Sequence, residues 1–170
     1  EELLVLVNSW GRLGNFDAKA SNNQMLMIDK CDSKECYDLS KLDTSEITNM
    51  SSIFRSSNFN GDVSNWNTSN VTDMKSMFFN TKEFNSSLNL WDVSKVTNMS
   101  EMFYFAKEFN SPLNSWDVSN VTSMEGTFLR AKRFNQPIGN WDTSNVTNMV
   151  GVFCDTQSFN QALNWNTSKV

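Results

Sequence analysis

Met99-Ser100-Glu101-Met102-Phe103-Tyr104-Phe105-Ala106-Lys107-Glu108-Phe109-Asn110 runs on into Ser111-Pro112-Leu113-Asn114-Ser115-Trp116-Asp117-Val118-Ser119-Asn120-Val121-Thr122, and together they are one copy of a repeating unit. Working outward in both directions, the same landmarks return. Trp66, Trp91, Trp116, Trp141 and Trp165 are spaced by 25, 25, 25 and 24 residues. The pairs Phe59-Asn60, Phe84-Asn85, Phe109-Asn110, Phe134-Asn135 and Phe159-Asn160 recur every 25 residues. Met50, Met74, Met99, Met124 and Met149 keep the same beat, each followed four residues later by Phe54, Phe78, Phe103, Phe128 or Phe153. A fixed period of this length predicts stacked repeat units, because one unit alone has no way to bury its apolar face.

Residues 42–170 therefore hold about five 25-residue rungs, the last of them incomplete. A degenerate copy opens the array at Leu42-Asp43-Thr44-Ser45, where leucine stands in the tryptophan column. Residues 1–41 do not repeat. Leu3, Leu6, Val7 and Trp10 fall on one helical face that ends near Gly11 and Gly14, which predicts an N-terminal helical cap over the open core.

Within a rung, Met99, Met102, Phe103 and Ala106 lie at i, i+3, i+4 and i+7, as do Met74, Met77, Phe78 and Thr81. That spacing predicts a short helix, with Asp73, Asn98, Ser123 or Asn148 as its N-cap. The segment from Phe109 to Val118 predicts a short, bent strand, and the Asp/Asn-x-Ser after each tryptophan a turn. The expected fold is α/β: a leucine-rich-repeat-like solenoid with one short strand and one short helix per rung. Like residues then touch their own copies. Asn60, Asn85, Asn110, Asn135 and Asn160 are expected to form a structural ladder inside the coil, since an amide both donates and accepts. The threonines Thr72, Thr97, Thr122 and Thr147 read as buried caps, not as an ice-binding row.

Charge and composition narrow the function. The formal net charge is −5, which argues against nucleic acid as the main partner. Seven acids and five bases fall in residues 1–41, and twelve and nine in the rest, so no single tail or stripe names a ligand. Histidine is absent, removing the commonest general base and metal ligand. Asp92, Asp117 and Asp142 recur one per rung, as turn residues do, and no serine has a base to activate it. Catalytic, metal-binding and cofactor-binding residues are accordingly not expected. Cys31 and Cys36 are close enough to close a small loop, leaving Cys154 over. The apolar run Leu3–Val7 is too short to span a membrane. Eight Asn-x-Ser/Thr triplets, Asn67, Asn70, Asn120 and Asn145 among them, mostly fall out of the repeat itself.

The strings Phe109–Thr122 and Val96–Phe103 resemble the BspA-like, leucine-rich-repeat-related family, also known as the mycoplasma-type surface lipoprotein repeat or DUF285. The resemblance covers residues 42–170 and implies a secreted or cell-surface protein linked to adhesion and protein binding. It carries over no catalytic residues. A non-catalytic protein-binding or adhesion module is thus expected, with a structural or scaffold subunit, docked by its sides or end to end, as the alternative. A protein partner is expected where columns vary, on a strand-side face around Asn89, Leu90, Ser115 and Asn140.

Overall fold

The structure, a computed structural model, describes residues 43–170. The expected cap over residues 1–41, Leu42 and the Cys31–Cys36 pair lie outside the described residues.

Backbone hydrogen bonds within one rung explain its shape. The N–H of Met77 donates to Met74 O at 3.2 Å, that of Phe79 to Ser76 O at 3.1 Å, and that of Thr81 to Phe78 O at 3.1 Å. These are i to i−3 bonds of successive tight turns. The N–H groups between them leave the rung altogether. Met74, Ser76, Phe78 and Asn80 donate to Asn98 O, Ser100 O, Met102 O and Tyr104 O of the next rung at 3.0, 2.8, 2.9 and 2.6 Å. The same alternation recurs from Met50 to Ser56, from Met99 to Phe105 and from Met124 to Arg130.

No α/β solenoid forms. Among the described residues there is no helix, and the only strand-like pairing is at single residues, Asn49 with Asp73, Asp73 with Asn98, Asn98 with Ser123 and Ser123 with Asn148, all parallel. The physical reason is a pair of left-handed residues in every rung. Ser76 and Asn80 have φ of 55°, Glu101 and Phe105 of 58° and 62°, Gly126 and Arg130 of 57° and 58°. A right-handed helix tolerates none of these. Each left-handed step costs a non-glycine residue roughly 1–2 kcal/mol. It turns the following N–H groups alternately along the rung and along the stack, and the inter-rung bonds offset the cost. The i, i+3, i+4, i+7 spacing still points inward, because turns that reverse every few residues return the same positions to the core.

Stacking then places like on like. Phe54, Phe78, Phe103, Phe128 and Phe153 form one column with ring centroids 5.4–5.7 Å apart and nearly parallel planes. Phe59, Phe84, Phe109, Phe134 and Phe159 form a second at 5.9–6.1 Å. Within a rung the two columns lock together, Phe103 against Phe109 at 4.0 Å. The tryptophans form a third, Trp116 over Trp141 at 6.3 Å. Four indole N–H groups also reach back a rung: Trp91, Trp116, Trp141 and Trp165 Nε1 donate to Val63, Leu88, Leu113 and Ile138 O at 2.9–3.1 Å. A buried indole thus satisfies its own donor while fastening two rungs. Phe78, Phe103 and Phe128 are wholly buried, so truncating any of them is expected to cost about 3–5 kcal/mol.

Two glycines test the backbone path, and Gly126 distinguishes it from a helical one. A Cβ on Gly126 would meet nothing nearer than Tyr104 Cδ2 at 3.7 Å, so only backbone conformation is at stake. Gly126→Ala is expected to lower stability by about 1 kcal/mol by urea denaturation. In a helix the same change would raise it by about as much. Gly139 sits where the last rung is one residue short, and a methyl there would run into the carbonyl oxygen of Ala162. Gly139→Ala should cost about 1–3 kcal/mol in the same measurement.

Candidate partner-binding surface

Most recurring polar residues are spent on the stack. The Oδ1 atoms of Asn60, Asn85, Asn110 and Asn135 accept the backbone N–H of Asn85, Asn110, Asn135 and Asn160 at 3.1, 2.8, 2.9 and 2.9 Å. This ladder runs along the surface, not inside the coil: Asn60, Asn85 and Asn160 are exposed, and Asn110 and Asn135 half-buried. Ser111, Gln136 and Gln161 reinforce it by bonding the amide or carbonyl of the asparagine one rung back. The threonine column corrects the sequence reading. Thr72, Thr97, Thr122 and Thr147 are exposed, because Val71 and its counterparts point inward and the next residue of an extended segment points out. The backbone N–H of Thr97, Thr122 and Thr147 donates to the preceding threonine's carbonyl at 2.8 Å, and their hydroxyls donate to the same oxygens at 3.1–3.2 Å.

The four residues expected to meet a partner are brought onto adjoining rungs, in a segment that is not a strand. Ser115 Oγ donates to Asn89 O and Oδ1, both at 2.9 Å, and Asn140 Nδ2 donates to Asn114 O at 3.0 Å. Their polar atoms therefore serve neighbouring rungs in part. Leu90 does not: it is 75% exposed.

A second surface escaped the sequence reading. Phe79 and Tyr104, on adjacent rungs, stack at 4.6 Å, and Tyr104 lies 6.0 Å from Phe105. All three are only half-buried. The Arg55 guanidinium sits 3.8 Å over Phe79, while Lys107 Nζ and Arg130 Cζ lie 5.2 and 5.3 Å from the Phe105 ring. The available signal was irregularity: one column reads Phe79, Tyr104, Leu129, Cys154 and the next Asn80, Phe105, Arg130, Asp155. Among the described residues no group of three or more His, Cys, Asp or Glu side chains is placed to hold a metal ion, and Cys154 is an exposed free thiol. No helix among them is long and apolar enough to cross a membrane.

The recurring aspartates close turns. Asp92 Oδ1 accepts the Ser94 hydroxyl at 2.6 Å and its N–H at 3.0 Å, which holds the carboxyl below its usual range, the hydroxyl contributing most. Asp142 is lowered likewise, first by the Ser144 N–H and then by its hydroxyl. A depressed folded value means the contribution to stability is complete above the unfolded pKa and is lost as pH falls through the folded one. The loss thus lies on the acid side of about pH 4. Asn67 and Asn166 make the same turn with Ser69 and Ser168 without a titratable group. Asp92→Asn combined with Asp142→Asn should therefore lower the urea midpoint slightly at neutral pH and make it fall less than the parent's between pH 5 and pH 2.5, so that the two converge in acid, a range set around the ordinary carboxylate pKa.

No curated protein and no solved structure matches the chain. A family model described as "Mycoplasma protein of unknown function, DUF285" matches residues 22–131 and again residues 110–170. The first match begins before the recognisable repeats, in the segment that precedes Leu42. Its rungs, its columns and these matches agree: the chain belongs to the DUF285 family.

Proposed function

We propose that the chain is a non-catalytic protein-binding module of a secreted or cell-surface repeat protein, suited to adhesion. One observation carries the reading: residues that recur serve the core or the ladders, and exposed residues that break the repeat are left over for recognition. Leu90 is the extreme case. Asn65, Ser115 and Asn140 hold its column in other rungs, yet it presents a large apolar side chain that is 75% exposed. Protein interfaces are built around such protruding apolar and aromatic anchors within a polar surround.

The test uses the full chain, immobilised and offered the surface and secreted proteins of its native source. A specific protein should be retained, and Leu90→Glu should weaken its binding by about tenfold or more. The urea midpoint should move little, because substitutions at such exposed positions are usually worth within about 0.5 kcal/mol. Unchanged binding would remove the Leu90 face from the account. Retention of no protein at all would remove the function.

A further inference from the structure

The two irregular columns differ from the rest of the stack in a way the fold does not require. Phe105 occupies a left-handed position, φ 62°. Asn80 and Asp155, residue types that adopt this conformation readily, hold the same turn in their own rungs. A bulky, half-exposed ring is the least favourable choice there. Strain of this kind, kept at a surface, points to a use outside the fold.

Its neighbours suggest the use. Three half-exposed rings, Phe79, Tyr104 and Phe105, lie in one strip across two rungs, with Arg55, Lys107 and Arg130 against them. Lys107 stands in a lysine column: the N–H of Glu108 bonds Lys82 O, and that of Arg133 bonds Lys107 O, which sets Lys82 and Lys132 on the rungs to either side. The internal acids that face these bases pair with them loosely, although Ser76 Oγ also donates to Glu101 Oε2 at 2.8 Å. Glu101 lies 3.9 Å from Arg55 and Asp155 lies 3.4 Å from Arg130, and all four side chains are a third or more exposed. Such pairs are weak and exchange readily for another carboxylate. Glu83 and Glu108, the latter 2.7 Å from Arg133, lie beside the lysine column, so the excess of bases is small; in a chain of formal net charge −5 it is still a local reversal of sign around an aromatic platform.

We infer that Phe79, Tyr104 and Phe105, with Arg55, Lys107 and Arg130 around them, form a docking surface for an acidic segment of a partner protein. The partner lays an aromatic or aliphatic side chain on the rings and sets its carboxylates against the bases. The inference rests on the protein-binding reading and names the chemistry of the partner. A polyphosphate fits less well, since the whole chain's negative charge opposes its approach.

The test is selection of a random peptide library displayed on phage against the full chain, followed by anisotropy measurements on the selected peptides. Selected peptides should be rich in Asp and Glu beside an aromatic residue, and their binding should weaken as salt rises. Phe105→Asn should weaken it by about tenfold or more, while leaving the urea midpoint unchanged or higher, because asparagine suits the left-handed turn. Arg130→Asn should weaken the same peptides. Selected peptides without acidic enrichment, or acidic peptides that bind Phe105→Asn as tightly as the parent, would overturn the inference and leave protein binding standing. A chain that selects no peptide, or prefers oligouridylate to every selected peptide, would overturn the inference as well.

Discussion

Every second backbone N–H along the Met-to-Ala/Thr segment of a rung is aimed at the rung beyond it, and the rest of the structure follows from that alternation. Phe78 bonds Met102 O across the stack at 2.9 Å, while its neighbour Phe79 bonds Ser76 O within the rung at 3.1 Å. Two left-handed residues per rung create the alternation. The direction reverses elsewhere around the rung, where Thr97 and Glu108 donate back to Thr72 O and Lys82 O. Neighbouring rungs are thus held in one register at several points. A shift of even one residue would break these bonds and unstack three aromatic columns together.

The polar columns extend the same logic to side chains. A rung offers few internal partners for its own backbone, so groups a rung away must complete the account. Asparagine does this at the Phe-Asn corner, threonine along the exposed edge, and tryptophan within the core. Aspartate and asparagine instead close turns inside their own rung. Chemistry that would suggest a catalytic site in another setting, a carboxylate beside a serine hydroxyl, is here a turn repeated up the stack. What the stack leaves unused is the set of exposed side chains with no counterpart one rung away.

The period, the aromatic columns and the Asx turns were legible in the sequence because stacking demands identity at fixed intervals. The helix was not. Met99, Met102, Phe103 and Ala106 satisfy a helical stripe and a series of reversing turns equally well, since both return those positions to the core. The discriminating residues were Gly126 and Gly151 in one column and Asn80 and Asp155 in another, all types that favour positive φ, each inside what reads as a helix. Placement is not legible where burial depends on alternation: Thr97 stands beside the buried Val96 and points the other way, into solvent. Leu90 stands out in the sequence because it interrupts a polar column, and the structure leaves it 75% exposed. Phe79, Tyr104 and Phe105 interrupt a pattern too, but a run of aromatics next to core phenylalanines reads as more core until the left-handed turn directs it outward.

Where the alternate N–H groups go decides between a stack of turns and a row of helices. Scalar couplings across hydrogen bonds, measured by NMR on the isotopically labelled chain, report the acceptor of each amide directly. The stack predicts a coupling from the Phe78 amide nitrogen to the Met102 carbonyl carbon, and from Phe103 to Thr127, each a rung away. Couplings from Phe78 to Met74 and from Phe103 to Met99, four residues back, would mean that these segments are helices and would contradict the account.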